Sequence, residues 1–89
     1  MLTKKITIIN KLGLHARASM KLVNTASRYQ SDVRIKCRDR ELDAKDIMNV
    51  MVLGAQQGTP IELLITGPDE EEALKALVKL IEDRFGEEE

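Results

Sequence analysis

The sequence predicts an α+β fold in the order βαββαβα, with one face of an antiparallel sheet covered by helices and the other in water. Residues 33–37 alternate apolar and polar side chains, and Ile61, Leu63 and Ile65 again stand at every second position, the period of a strand with one buried face. Residues 70–85 place apolar side chains at helical spacing instead, at Leu74, Leu77, Val78, Ile81 and Phe85.

The first half of the chain contains three predicted strands and one helix. Residues 4–9 form a short β-rich run that Asn10, Lys11 and Gly13 interrupt. A helix is predicted over residues 16–27, from a stripe of apolar and small residues at helical spacing: Ala16, Met20, Val23 and Ser27, with Leu22 and Ala26 alongside. The strand at residues 33–37 then turns at residues 39–40 into a strand over residues 41–44.

The second half adds two helices around one strand. Asp46 can cap a short helix over residues 47–53, which Gly54 ends. The strand at residues 61–65 follows a Gly-Thr-Pro loop. Asp69 and Glu72 have the spacing of a capping box for the last helix. We predict that this helix ends at Gly86 and that residues 87–89 fray.

Composition indicates a single small domain, residues 1–89, with no signal peptide, no membrane insertion and a cytoplasmic location. Tyr29 and Phe85 are the only aromatic residues, so the core must be aliphatic. A net charge of −1 predicts no general attraction to nucleic acid or membranes. One cysteine, Cys37, and one histidine exclude an internal disulfide and leave no zinc site, and we expect Cys37 in the core.

The candidate site surrounds the one histidine, His15, at a predicted helix start. Gly13 permits a tight turn, and Arg17 offers a charged fork that suits phosphate. The first amides of a helix also attract anions, and together with Arg17 they favour the neutral, nucleophilic imidazole. Taken alone, a His-x-Arg pattern is more typical of a turn histidine beside a solvated arginine, and the rest of the chain alters that balance.

Three segments carry a family resemblance. They are Gly-Leu-His-Ala-Arg at residues 13–17, Lys-Asp-Ile-Met-Asn-Val-Met at residues 45–51, and Thr-Gly-Pro-Asp-Glu-Glu-Glu-Ala-Leu at residues 66–74. In this order and spacing the chain resembles the HPr family, the histidine-containing phosphocarriers of the phosphoenolpyruvate-dependent phosphotransferase system. The resemblance implies an open-faced β-sandwich, with four antiparallel strands and three helices on one face.

The resemblance also implies a function. His15 would accept a phosphoryl group on its δ nitrogen from phosphorylated enzyme I and pass it to an enzyme IIA domain. The Arg17 side chain and the backbone amides of Ala16 and Arg17 would stabilise the phosphate. The protein would be a carrier rather than an enzyme, without cofactor or metal, and we expect a monomer. The sugar-uptake and nitrogen-related branches both remain open, as does the alternative of a regulatory binding module that passes no phosphate onward.

Two positions depart from the family pattern. Ala18 stands where proline is common, which affects stability rather than chemistry. Asp46 replaces a serine that a dedicated kinase phosphorylates in many members, so that control should be absent here. Asp46 is either a permanent mimic of the modified form or, as we favour, only a helix cap.

The short helix after Asp46 carries three large apolar side chains, Ile47, Met48 and Met51. A short surface helix cannot bury every face, so we predict that Met48 or Met51 is exposed. The resemblance implies that this helix and the start of the first helix form the docking face for both partners.

Overall fold

Strands and helices follow one another in the predicted order in the computed structural model, which describes all 89 residues. The elements are β1 (Leu2–Thr7), α1 (Ala16–Ser27), β2 (Asp32–Cys37), β3 (Arg40–Asp43), α2 (Ile47–Leu53), β4 (Pro60–Thr66) and α3 (Glu70–Glu82), followed by a short 3₁₀ helix at Arg84–Gly86. None of the helices has the length and apolar character that a membrane crossing requires.

The four strands form one antiparallel sheet in the order β1-β4-β2-β3. Ile35 of β2 lies opposite Leu63 of β4, so the alternating apolar residues of the two central strands share one face. These residues are buried, whereas the residues between them on the other face, polar apart from Leu64, are exposed or half-buried. The helices cover the buried face, which confirms the open-faced β-sandwich.

The core is aliphatic, as the composition requires. Strand residues and the inner faces of all three helices form one continuous hydrophobic cluster, with Leu22 from α1, Val50 from α2 and Leu77 from α3. Phe85 is the only fully buried aromatic side chain, and Tyr29 packs against the cluster from its edge. Cys37 is buried as expected.

The predicted stripe of α1 is wrong in phase. The buried residues are Ala18, Ser19, Leu22, Thr25 and Ala26, so only Leu22 and Ala26 of the predicted set lie in the core. Met20 is 54% exposed. The hydrophobicity of Met20 suggested the other face, but Ser19 can be buried because its hydroxyl donates to the Leu14 carbonyl over 3.0 Å.

The predicted cap of α2 is confirmed. The Asp46 carboxylate accepts hydrogen bonds from the backbone amides of Met48, at 2.9 Å, and Asn49, at 3.3 Å. These amides are among the first of the helix and have no intrahelical partners. Gly54 ends the helix in the left-handed region, with φ 59° and ψ 31°. Asp46 therefore has a structural role that needs no regulatory function.

Removal of this cap gives a testable consequence. We expect Asp46→Ala to lower the free energy of unfolding by about 1 kcal/mol, since both amides lose their acceptor. Asp46→Ser keeps an oxygen that can cap, and should change stability by less. Urea denaturation of the three proteins measures the difference. Equal stability of the alanine and serine variants would contradict the capping role.

The predicted capping box of α3 is wrong, because the Asp69 side chain makes no hydrogen bond to its own helix. It accepts instead from the backbone amides of Gln30 and Ser31, both at 2.9 Å, and from the Ser31 hydroxyl at 2.5 Å. The Ser31 hydroxyl is the main cause that holds the pKa of Asp69 below its ordinary value. Asp69 thus joins the start of α3 to the loop that follows α1.

The C-terminal end also differs from prediction. Helix α3 ends at Glu82 rather than at Gly86, and Arg84 and Phe85 adopt positive φ values of 56° and 55°. This turn places the Phe85 side chain in the core. It also directs the chain after Gly86 back across the molecule.

Candidate functional site

His15 occupies the N-cap position of α1 in an extended conformation, with φ −73° and ψ 179°. Its carbonyl accepts from the Ser19 amide at 2.8 Å and so begins the helix. The side chain makes no capping bond, so the imidazole is not used by the helix. The amides of Ala16 and Arg17 belong to the first turn, where they have no intrahelical acceptor and can bind an anion.

The loop before His15 is fixed from both sides. The Asn10 side chain donates through Nδ2 to the Gly13 carbonyl at 2.8 Å, and the Leu14 amide donates to the Ala55 carbonyl at 2.8 Å. Gly13 has φ +66°, and a Cβ there would lie 2.6 Å from the Ala55 carbonyl oxygen. Gly13 is therefore required both by its backbone angle and by the close approach of the Ala55 segment.

The last residues of the chain fold onto this site, so the prediction that residues 87–89 fray is wrong. The Glu87 carboxylate contacts Nε2 of His15 through one oxygen and accepts from Nδ2 of Asn10 at 2.9 Å through the other. The Lys11 amide donates to the Glu89 carbonyl at 2.5 Å. As a result the His15 side chain is only 25% exposed.

Glu87 is held in its charged form. The hydrogen bond from Asn10 is the largest cause that lowers the pKa of Glu87, with further contributions from the hydrogen bond and charge of His15 and from the charge of Arg17. These outweigh the opposing effect of burial. At neutral pH an ionised carboxylate therefore lies against the imidazole, which the sequence alone did not indicate.

Arg17 is exposed and forms no ion pair. Its side chain lies with Lys11 and Lys21 along a cleft that residues 86–89 complete. Both lysines have partners: Lys21 donates to the Phe85 carbonyl at 2.6 Å, and Lys11 pairs with the Glu89 carboxylate at 3.3 Å. The guanidinium of Arg17 is thus the cation beside His15 that remains available to an arriving anion.

An apolar surface lies on α2, which packs against α1. Met48 is 66% exposed and Met51 is 43% exposed, which confirms the predicted exposure of this helix, whereas Ile47 is half-buried. Val52 is exposed beside them, and we call Met48, Met51 and Val52 the α2 patch. Leu12, in the loop before His15, is also exposed, and the sequence analysis missed it.

The chain matches a family model described as the PTS HPr component phosphorylation site over residues 2–83. The phosphocarrier protein HPr of Xylella fastidiosa is 52% identical over 87 residues, or 98% of each chain. A crystal structure of HPr-C-His from Thermoanaerobacter tengcongensis superposes with a TM-score of 0.97 at 47% identity, with full coverage of both chains. A crystal structure of an HPr dimer from that organism gives a TM-score of 0.79 at 47% identity, over 98% of this chain and 100% of that chain.

Proposed function

This chain belongs to the HPr family of phosphotransferase-system phosphocarriers, and we propose that His15 carries the phosphoryl group between phosphorylated enzyme I and an enzyme IIA domain. One observation carries the proposal. The only histidine of the chain stands at the first turn of α1, with its Nδ1 free of hydrogen bonds and the unpaired Arg17 two residues away.

The geometry suits capture of a phosphoryl group on Nδ1. The Nδ1 lone pair attacks phosphorus while the N–P bond of the donor phosphohistidine breaks, and that electron pair returns to the donor ring. The transferred group then lies close to the first amides of α1, including those of Ala16 and Arg17. The guanidinium adds charge-assisted hydrogen bonds that stabilise the phosphate. Transfer to the acceptor reverses these steps.

In this proposal the protein is a carrier that returns unchanged after each cycle, without cofactor or metal. One hydrophobic core supports a single domain. We also propose that the protein is a monomer and lies in the cytoplasm. Since a solved relative is described as a dimer, the oligomeric state should be measured by light scattering on the purified protein. Whether label passes from the phosphorylated chain to an enzyme IIA domain separates a carrier from a regulatory binding module.

We further propose that the α2 patch docks both partners. Phosphoryl transfer requires the two reacting groups to be held in line, and packed apolar contacts fix orientation better than exposed charges do. Methionine side chains adapt to more than one partner surface. The bond between the Leu14 amide and the Ala55 carbonyl connects the segment after α2 directly to the loop that carries His15.

Substitution at Arg17 tests the phosphate site. We expect Arg17→Ala to slow phosphorylation by enzyme I about 10- to 100-fold, because a charge-assisted contact contributes ~1.5–3 kcal/mol. The fold should persist, since the side chain is exposed. Arg28→Ala removes the same charge from the other end of α1 and serves as the control in quench-flow assays. Equal rates for the two variants would show that Arg17 is only a surface charge.

Substitution at Met48 tests the docking face. We expect Met48→Glu to weaken binding to enzyme I about tenfold or more while the melting temperature stays nearly constant, since Met48 is exposed. Calorimetric titration gives the dissociation constant. Thr3→Glu adds the same charge on β1 and should leave binding unchanged. Val50→Glu, which buries a charge in the core, should instead lower stability. Unaltered affinity of Met48→Glu would contradict the docking proposal.

A further inference from the structure

Glu87 contacts the ring nitrogen of His15 that phosphoryl transfer does not use. We propose that Glu87 is the positioning residue of His15: its carboxylate holds the ring proton on Nε2 and thereby leaves Nδ1 as the unprotonated, attacking nitrogen. This inference rests on the proposed function, in which Nδ1 receives the phosphoryl group. It assigns a role in that reaction to a side chain 72 positions from His15 in the sequence.

The position of the proton follows from hydrogen-bonding chemistry. An ionised carboxylate has no hydrogen to donate and can only accept. Because Glu87 contacts Nε2, that nitrogen must be the donor and must carry the proton. A neutral imidazole has one protonated and one unprotonated nitrogen, so Nδ1 keeps its lone pair. Nδ1 has no hydrogen-bond partner in the structure that would compete with this assignment.

A buried side chain orients the carboxylate. Asn10 is fully buried, and both hydrogens of its amide nitrogen are used, one on the Gly13 carbonyl at 2.8 Å and one on Glu87 at 2.9 Å. The Gly13 carbonyl and the Glu87 carboxylate can only accept hydrogen bonds, so the amide nitrogen of Asn10, and not its oxygen, must face them. The Asn10 oxygen is left buried without a partner. Asn10 therefore connects the loop before His15 to the carboxylate that contacts the ring.

The surrounding charges leave this carboxylate available to His15. Lys11 pairs with Glu89, and Lys21 donates to the Phe85 carbonyl. Arg17 lies near enough to contribute to the lowered pKa of Glu87 but forms no ion pair with it. The direct partners of the Glu87 carboxylate are thus Asn10 and His15, and Arg17 stays unpaired.

The contact should strengthen during transfer. When Nδ1 forms its bond to phosphorus, the ring acquires positive charge, and the proton stays on Nε2. A more positive ring makes Nε2–H a better donor, so the carboxylate stabilises the transition state more than the resting imidazole. When the phosphoryl group leaves, the electron pair returns to Nδ1 and the original neutral ring is restored. No proton has to enter or leave the site.

Nitrogen-15 NMR of the unphosphorylated protein tests the proposal. At a pH about two units above the ordinary imidazole value of ~6.5, long-range proton–nitrogen spectra show which ring nitrogen carries hydrogen. We expect the Nε2–H form to predominate in the unaltered chain and in Glu88→Ala, which removes an exposed neighbouring carboxylate. In Glu87→Ala the fraction of the imidazole that carries its proton on Nδ1 should rise measurably, and phosphorylation at saturating enzyme I should slow about tenfold.

Glu87→Gln separates geometry from charge and protects the test against a folding defect. Its amide oxygen can still accept from Nε2–H, so we expect the ring proton to stay on Nε2 while the transfer rate falls to an intermediate value. The proposal is overturned if the tautomer population or the transfer rate of Glu87→Ala equals that of Glu88→Ala. It is also overturned if the phosphoryl group of the unaltered chain is found on Nε2.

The experiment distinguishes this proposal from the one on which it rests. The tautomer measurement requires no phosphorylation and reports the Glu87 contact by itself. If enzyme I fails to phosphorylate the unaltered chain at all, the proposed function is wrong even where the tautomers shift as expected. If phosphorylation proceeds normally and the tautomers do not respond to Glu87→Ala, only the positioning role is wrong.

Discussion

His15→Ala is expected to abolish phosphorylation of this chain by phosphoenolpyruvate and enzyme I. The unaltered protein should acquire one phosphate that is labile in acid and stable in base, as an N–P bond is. No second histidine can replace His15, and the one cysteine is buried. A phosphate on a serine or threonine hydroxyl would instead survive acid.

Mass spectrometry and radiolabel after acid or base treatment measure this outcome. The Ala variant should retain its fold, because the His15 side chain makes no capping bond and lies outside the core. Circular dichroism provides that control. Label that persists on the His15→Ala protein would refute the carrier assignment, whatever the rate at which it is acquired.

Gly13→Ala should produce the largest loss of stability among the substitutions near the site. The new methyl group would meet the Ala55 carbonyl oxygen at 2.6 Å and Cα of Gln56 at 2.8 Å, both backbone atoms, in a residue with φ +66°. Left-handed strain and overpacking each cost ~1–3 kcal/mol, so we expect a loss of about 3 kcal/mol or more in the free energy of unfolding. Phosphorylation should also slow, since the loop that carries His15 must shift.

Gly54→Ala is the matched control, because it measures the loss of stability that a left-handed backbone angle causes by itself. Gly54 has a similar φ of +59°, but the nearest atom to an added Cβ is 3.9 Å away. This variant should lose only about 1 kcal/mol. Chemical denaturation of both variants isolates the contribution of the close approach to Ala55. Equal losses would mean that the Ala55 segment moves aside without cost.

Much of the fold could be predicted because the signals are local. Apolar residues at every second position predicted β2 and β4. Asp46 and Gly54 marked the two ends of α2, because each acts on backbone groups within a few residues. The phase of α1 could not be predicted in the same way. It depends on which face meets the sheet, and a small polar residue such as Ser19 can be buried once a backbone carbonyl, here that of Leu14, accepts its hydroxyl.

The candidate site was predictable in part for the same reason. Gly13, His15 and Arg17 are neighbours in sequence, and together with the family resemblance they indicate an anion site without knowledge of the fold. Glu87 is 72 residues from His15 and no spacing relates them. Its approach depends on the burial of Phe85 and on the left-handed turn at Arg84 and Phe85. The contact of Asp69 with Ser31 was missed for the same reason, because the two residues are 38 positions apart.

The sheet order also bears on how the protein folds. β2 and β3 are joined by a short turn, whereas β1 pairs only with β4, so that Leu2 lies opposite Ile65. Contacts between residues far apart in sequence require closure of a long loop and form slowly. We expect the β2–β3 hairpin to form early and the pairing of β1 late. The loop that contains His15 directly follows β1, so we expect this loop to be completed among the last parts of the molecule. In the proposed function, a partly folded chain would therefore offer enzyme I no competent substrate.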